Sequence, residues 1–160
     1  MTDRATIREA TADDLETVAA LIDEYVDWMV ASRLIPVREP NDFRGATAPA
    51  AYTSPRGFVL LATLDDVPAG CVALRSLAEP GVCEMKKLYV RPEFRSAGVG
   101  RLLVDEVITR SRAAGYRMMR LDTLPRMTDA IRMYTRYGFT ARGPYHGEHP
   151  AGALYFERAL

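Results

Sequence analysis

Apolar residues recur at spacings of three and four in the first third of the chain, after a short alternating stretch at residues 6–9. Residues 11–14 read Thr-Ala-Asp-Asp, which has the form of a helix-capping box with Asp in place of the usual Glu. The apolar set that follows would share one face of a helix and consists of Leu15, Val18, Ile22, Tyr25, Val26 and Met29. We therefore expect a short strand and then a helix that packs on the core and ends near Ser32.

This periodicity stops between residues 34 and 56, where four prolines and Gly45 interrupt the chain. Residues 43–52 could still form a short helix. Two apolar runs at 57–63 and 69–75 then flank an Asp65-Asp66 turn, which predicts an antiparallel hairpin. A further strand at 82–90 follows the Glu-Pro-Gly turn at 79–81 and ends before Pro92.

The second half of the chain alternates between helices and strands. An apolar stripe predicts a helix at 98–114 that ends at Gly115, and a shorter helix is expected at 128–137, where it ends at Gly138. Strands are expected at 116–123, 140–142 and 153–158. The length of 160 residues predicts a single domain over 1–160, and the order of elements predicts the α/β (α+β) class. We expect a mixed, mostly antiparallel twisted sheet of about six or seven strands with about four helices on its faces.

Composition and charge narrow the classes of function. Twenty-one basic residues balance twenty-one acidic residues, so no overall field attracts a polyanion, and nucleic acid is not an expected partner. No apolar run approaches the roughly 20 residues that cross a bilayer, and residues 1–6 have no apolar core of a secretory signal. We expect a soluble, cytoplasmic protein that does not bind membranes. Cys71 and Cys83 belong to predicted strands and are expected to be small buried hydrophobes.

A glycine-containing loop follows the strand that ends at Val90, and a helix follows the loop. Backbone N–H groups at such a helix start favour a phosphate, although an ordinary strand-to-helix turn would have the same glycines. A mononucleotide P-loop requires Lys-Ser or Lys-Thr after Gly100, where this chain has Arg101-Leu102. A dinucleotide fingerprint requires a third small residue where this chain has Leu103. The loop alone therefore predicts an anion site or a turn, with neither favoured.

Two motifs resemble those of the GNAT superfamily of acyl-CoA N-acyltransferases. The loop is similar to the family signature Arg/Gln-x-x-Gly-x-Gly/Ala and consists of Arg95, Ser96, Ala97, Gly98, Val99 and Gly100. Residues 130–139 resemble the family segment Ala-Ile-x-Leu-Tyr-x-x-Leu-Gly-Phe. The order of helices and strands also resembles the family fold, in which two central strands splay apart.

The resemblance implies where acetyl-CoA binds. The six loop residues and the helix start at Arg101 would hold the pyrophosphate, and the backbone of Leu88, Tyr89 and Val90 would pair with the pantetheine arm. The strands at 82–90 and 118–123 would diverge and open a slot for the thioester. This chain departs from the family at Met127, where many members have Asn.

The resemblance also suggests the catalytic residues. An acceptor amine must lose a proton, and Glu84 lies eleven residues before Arg95, the spacing of the glutamate base in histone-modifying members. Strand alternation predicts that Glu84 faces the same side as Lys86 and Leu88. Glu84 could instead pair with Lys86 or an arginine, while water and backbone carbonyls serve as the base. Tyr134 matches the family tyrosine that would protonate the CoA thiolate, unless it is a core residue.

The acceptor is expected to contact residues 34–56 and the loop at 143–150. Arg33, Arg38, Arg44 and Arg56 could bind an acceptor carboxylate or could be exposed surface residues. His146 and His149 are expected to be loop residues, and no metal is expected.

We predict acetyl transfer from acetyl-CoA to a primary amine of a small molecule or peptide, in a ternary complex. A non-catalytic acyl-CoA-binding regulatory module and another kind of nucleotide-binding protein are alternatives. The acceptor and the choice between monomer and homodimer stay open.

Overall fold

The computed structural model of the protein describes residues 4–145 and 151–160. Within these residues seven strands form one sheet in the order β1-β2-β3-β4-β5-β7-β6. Every neighbouring pair is antiparallel except β4 and β5, which are parallel. His146 and His149 lie outside the described residues, so their predicted role as loop residues stays a prediction.

The strands and helices follow the predicted order closely. The strands are β1 (Ala5–Glu9), β2 (Phe58–Leu64), β3 (Val67–Ser76), β4 (Val82–Val90), β5 (Met118–Thr123), β6 (Thr140–Arg142) and β7 (Leu154–Ala159). The α-helices are α1 (Leu15–Ala31), α2 (Val99–Ala113) and α3 (Thr128–Arg136). Short 3-10 helices occupy Ala12–Asp14, Asp42–Arg44, Ala50–Tyr52 and Pro92–Ala97. The predicted mixed, mostly antiparallel sheet is confirmed. The single short helix expected at 43–52 is not observed, because only separate 3-10 turns form at its two ends.

Local sequence explains where these elements begin and turn. The Thr11 backbone N–H donates to the Asp14 carboxylate at 2.8 Å, which is the capping contact expected before α1. Asp65 and Asp66 have φ angles of 49° and 65°, the left-handed conformation that a two-residue hairpin turn requires. The predicted hairpin of β2 and β3 is therefore confirmed.

The sheet has a hydrophobic core on each face. Helix α2 packs Leu103, Val104 and Val107 on one face, and Tyr134 of α3 joins the same cluster. Helix α1 packs Leu21 and Ile22 on the opposite face. Cys71 and Cys83 are free and buried, one in each cluster, as predicted.

The parallel strands β4 and β5 stay together for only three residues each. Their register ends at the pair formed by Glu84 and Arg120. Beyond this pair β5 continues beside β7 as far as Thr123, while β4 continues beside β3 as far as Val90. The predicted splay of the two central strands is confirmed, and it leaves one edge of the second half of β4 without a strand.

A bulge in β4 corrects one prediction about side-chain direction. The register against β3 shifts between Cys71 and Ala73, and Lys87 has a φ angle of +57°. The extra residue reverses the alternation, so Leu88 packs on the face of α2, while Tyr89 packs on the face of α1. The prediction that Leu88 shares a face with Glu84 and Lys86 was therefore wrong.

Hydrogen bonds and ion pairs connect the irregular segment at residues 34–56 to α1. Asp23 of α1 accepts hydrogen bonds from Arg38 at 2.7 Å, from Asn41 at 3.0 Å and from Arg44 at 2.8 Å. These contacts act together with the burial of Phe43 and Tyr52 in the core on the α1 face. None of the helices in the described part of the chain combines the length and apolar character needed to cross a membrane.

Candidate active site

An arginine-lined groove lies at the start of α2. Gly98 caps the helix with a φ angle of +78°, and the N–H groups of the first helical turn have no partner within the helix. The groove has a volume of about 670 Å³ and is lined by four arginines, Arg95, Arg101, Arg132 and Arg136. Helix-start N–H groups and several guanidinium groups together favour a phosphorylated ligand.

Arg95 also forms contacts at the end of β4. Its Nε donates to the Val90 carbonyl at 3.0 Å, and its guanidinium carbon lies 5.2 Å from the centre of the Trp28 ring. Tyr25 stacks on both Trp28 and Tyr89, so these three rings form a wall beside the guanidinium. The predicted phosphate ligand Arg95 thus rests on aromatic rings at the entrance to a second groove.

This second groove, of about 310 Å³, runs beside the open edge of β4. The Arg91 N–H donates to the Ala69 carbonyl at 2.8 Å, which marks Arg91 as a residue that pairs with β3. By antiparallel alternation Tyr89 also pairs with β3, while Leu88 and Val90 direct their backbone groups to the open edge. That edge can accept an extended ligand with amide groups as an additional strand.

Tyr134 lies in an inner cavity of about 160 Å³ between the diverging strands. Leu88 of β4 and Asp122 of β5 line the cavity with it, and Met127 lies in the lining of both the cavity and the second groove. The Tyr134 side chain is buried, and burial raises the pKa of its hydroxyl above the ordinary value. Within residues 4–145 and 151–160 this hydroxyl has no hydrogen-bond partner.

Glu84 is placed differently from Tyr134. Its side chain is fully buried at 0% exposure and is not among the residues that line the inner cavity. Arg75 bonds one carboxylate oxygen at 2.7 and 2.8 Å, and the Tyr145 hydroxyl donates to the other oxygen. Lys86 Nζ lies 3.8 Å from the same carboxylate. The predicted pairing with Lys86 or an arginine is therefore observed.

Comparison with known proteins identifies the family. A sequence model of the acetyltransferase (GNAT) family matches residues 19–139, about three quarters of the chain. The chain belongs to the GNAT family. An N-acetyltransferase of Schizosaccharomyces pombe, itself uncharacterised, is 46% identical to this GNAT protein over 143 residues, which cover 89% of this chain and 86% of the relative.

Solved structures agree with this assignment. A GNAT-family acetyltransferase from Staphylococcus aureus superimposes with a TM-score of 0.78 at 19% identity, over 98% of this chain and 99% of the other. The PaiA N-acetyltransferase of Thermoplasma acidophilum, solved in complex with coenzyme A, gives a TM-score of 0.70 at 18% identity, over 98% and 99% of the two chains. At these identities the structures show the shared fold. Together with the family match, they confirm the prediction of a GNAT acyltransferase that uses an acyl-CoA and an acceptor.

The structure of the GNAT enzyme adds functional candidates that sequence reasoning missed. Arg132 and Arg136 reach the arginine-lined groove because residues four apart share a face of α3. That spacing was visible in the sequence. Lys86 and Lys87 both line the inner cavity, and they are the only two lysines in the chain. In the described residues no group of three His, Cys, Asp or Glu side chains lies close enough to hold a metal ion.

Proposed function

We propose that this GNAT enzyme transfers an acetyl group from acetyl-CoA to a primary amine of a small molecule or peptide, by direct transfer in a ternary complex. The observation that carries the proposal is one series of three adjoining cavities. They share lining residues, Arg95 and Gly100 between the first two and Leu88 and Met127 between the last two. The series begins at the arginines and ends at Tyr134.

The donor half of the proposal assigns each cavity a part of acetyl-CoA. Residues 95–101 would bind the pyrophosphate through backbone N–H groups and arginine side chains. The backbone of Leu88 and Val90 would pair with the pantetheine amides, and the Tyr89 ring would pack beside the arm. Arg95 would release the Val90 carbonyl as the arm enters, since its Nε donates to that oxygen at 3.0 Å. When bound, acetyl-CoA would supply an activated acyl carbon, and the cavity that Tyr134 lines would receive it.

Two proton movements accompany transfer, because the amine loses a proton and the departing sulfur gains one. Tyr134 is the proposed donor to the sulfur. Its side chain lines the inner cavity, and the phenol carries its proton at neutral pH, since burial shifts its pKa further upward. Glu84 stays the proposed proton acceptor. With two Arg75 contacts and no exposed surface, it would act through a water molecule rather than by direct contact.

The experiment is an acetylation assay with a panel of primary amines. Purified enzyme receives acetyl-CoA and one amine at a time, and released CoA is measured with a thiol reagent. We expect amine-dependent thiol release for at least one member and the matching N-acetyl product by mass spectrometry. Reactions without amine or without enzyme provide the background.

A thermal-shift measurement separates the proposal from a binding-only module. CoA at 100 times its Kd should add about 2.7 kcal/mol to the apparent stability whether or not chemistry follows. Stabilisation by CoA without thiol release from any amine would argue for the regulatory module and against the enzyme proposed here.

A further inference from the structure

The two lysines of the chain are adjacent and line the same cavity. Nineteen of the twenty-one basic residues are arginines, and Lys86 and Lys87 are the only exceptions. Both line the inner cavity that contains Tyr134. Lysine presents a compact ammonium that suits a single small anion, whereas arginine presents a wide planar fork. Whether either lysine can bind an anionic ligand depends on the anions that already lie close to its ammonium group.

Lys86 already has anionic partners inside the protein. Its Nζ lies 3.4 Å from the Asp122 carboxylate and 3.8 Å from the Glu84 carboxylate. These contacts tie β4 to β5 at the point where the two strands separate. Lys86 is thus engaged in holding the slot, and its charge is balanced by the protein.

Lys87, in contrast, has no carboxylate close to its ammonium group in the described residues. Among the described residues its ammonium forms no hydrogen bond or ion pair, although Glu39 and Asp42 act on it from a longer distance. Burial lowers the pKa of Lys87, and the charge of Lys86 lowers it further. A partly buried ammonium without a close anion is destabilising, so an anionic ligand that enters the cavity would gain from pairing with it.

The bulge in β4 determines where this ammonium lies. Lys87 adopts its positive φ at the extra residue, directly before Leu88. Leu88 is the first of the two residues whose backbone faces the open edge. Lys87 therefore lies one residue before the edge proposed to hold the donor, in the lining of the inner cavity.

Two of the four arginines that could bind an acceptor carboxylate form ion pairs with α1 instead. Arg38 is bonded to Asp23 and Asp27, and Arg44 is bonded to Asp23. Neither residue lines the inner cavity. Of the cations named so far, Lys87 is the one that combines a place in the cavity with the lack of a close anion in the described residues.

We propose that Lys87 binds a carboxylate of the acceptor, so that the acceptor class is small amino acids or similar amines that carry a carboxylate. This inference rests on the proposed acetyl transfer and specifies its substrate. The acceptor carboxylate would pair with the Lys87 ammonium, and its amine would lie toward Tyr134 and the thioester. A cavity of about 160 Å³ favours a small molecule over a folded protein surface.

The test compares matched pairs of acceptors, each an amino acid and its decarboxylated amine, for example phenylalanine with phenethylamine and leucine with isoamylamine. With the wild-type enzyme we expect kcat/KM for the better amino acid to exceed that of its amine by at least about tenfold. In Lys87→Met, which keeps an unbranched stem and removes the charge, KM for the amino acid should rise about ten- to hundredfold. The value of kcat/KM for the amine should stay within about twofold.

Controls make each outcome decisive. Arg112→Met removes one positive charge from an exposed position of α2 and should leave both substrates unchanged. Retained stabilisation by CoA shows that Lys87→Met is folded. If the variant does not fold, the comparison of amino acids with their amines in the wild-type enzyme tests the proposal by itself. Equal use of amino acids and their amines, or an equal loss for both in Lys87→Met, would overturn the role of Lys87 while acetyl transfer stands. Absence of thiol release with every amine would instead overturn the proposed function.

Discussion

Two buried polar side chains beside the slot differ in what surrounds them. Tyr134 lines the inner cavity and has no hydrogen-bond partner in the part of the chain that the structure describes. Glu84 is enclosed by Arg75, Lys86 and Tyr145. The sequence could indicate both residues by their distance from the two motifs. It could not distinguish their surroundings, because Arg75 and Tyr145 approach Glu84 from positions 9 and 61 residues away.

At the scale of single residues, Tyr134→Phe tests the proposed proton donor. The substitution keeps the ring against Phe139 and removes only the hydroxyl, so the core should stay intact. We expect kcat to fall about 100-fold or more, while the Kd for CoA changes less than about twofold. Because burial raises the pKa of Tyr134, the hydroxyl stays protonated in mildly alkaline solution, and wild-type kcat should not decline between about pH 7 and 9.

The matched control for this substitution is Tyr116→Phe. Its hydroxyl bonds the Arg56 carbonyl and does not line the inner cavity. Turnover should be unaffected by this change. Equal turnover of wild type and Tyr134→Phe, measured by steady-state thiol release, would show that the tyrosine is a core residue without a catalytic role.

At the scale of helices and strands, the regular spacing of apolar residues was sufficient to predict most of the helices and strands. The apolar spacing located α1 because its buried side chains repeat with the helical period. The bulge at Lys87 could not be predicted, because a non-glycine residue with positive φ has no clear signature in the sequence. The conformation of residues 34–56 could not be predicted either, since it depends on contacts with Asp23 across 15 to 21 residues of sequence.

The start of α2 provides a test at the same scale with a built-in control. Gly98 has a φ angle of +78°, where alanine is strained by about 1–2 kcal/mol, whereas Gly100 lies within the helix. A Cβ at Gly100 would meet Val90 Cγ2 at 3.7 Å, an ordinary contact. We expect Gly98→Ala to lower Tm by roughly 2–8 °C, whereas Gly100→Ala should leave Tm unchanged or raise it by up to about 4 °C in differential scanning calorimetry. Similar Tm values for the two variants would contradict the cap geometry.

At the scale of the whole molecule, a balanced composition conceals an uneven distribution of charge. Equal numbers of acidic and basic residues give a net charge of zero, which argues against a general affinity for polyanions. Elsewhere many arginines are paired with carboxylates, as Arg120 and Arg142 are with Glu157. Four arginines nevertheless converge on one groove, and Asp129 is the one acidic residue in its lining. The local field there is positive although the chain as a whole is neutral.

This distribution predicts how coenzyme A binding depends on salt and on two arginines. Exposed charges are screened within about 10 Å at 0.1 M ionic strength, so the Kd for CoA should rise as NaCl increases from about 50 to 500 mM. The double variant Arg132→Gln with Arg136→Gln should raise the Kd at low salt about three- to tenfold and reduce its salt dependence, as measured by isothermal titration calorimetry. The double variant Arg112→Gln with Arg117→Gln removes the same charge outside the groove and should bind CoA like the wild type. Equal weakening by the two double variants would mean that net charge, rather than the groove, governs binding.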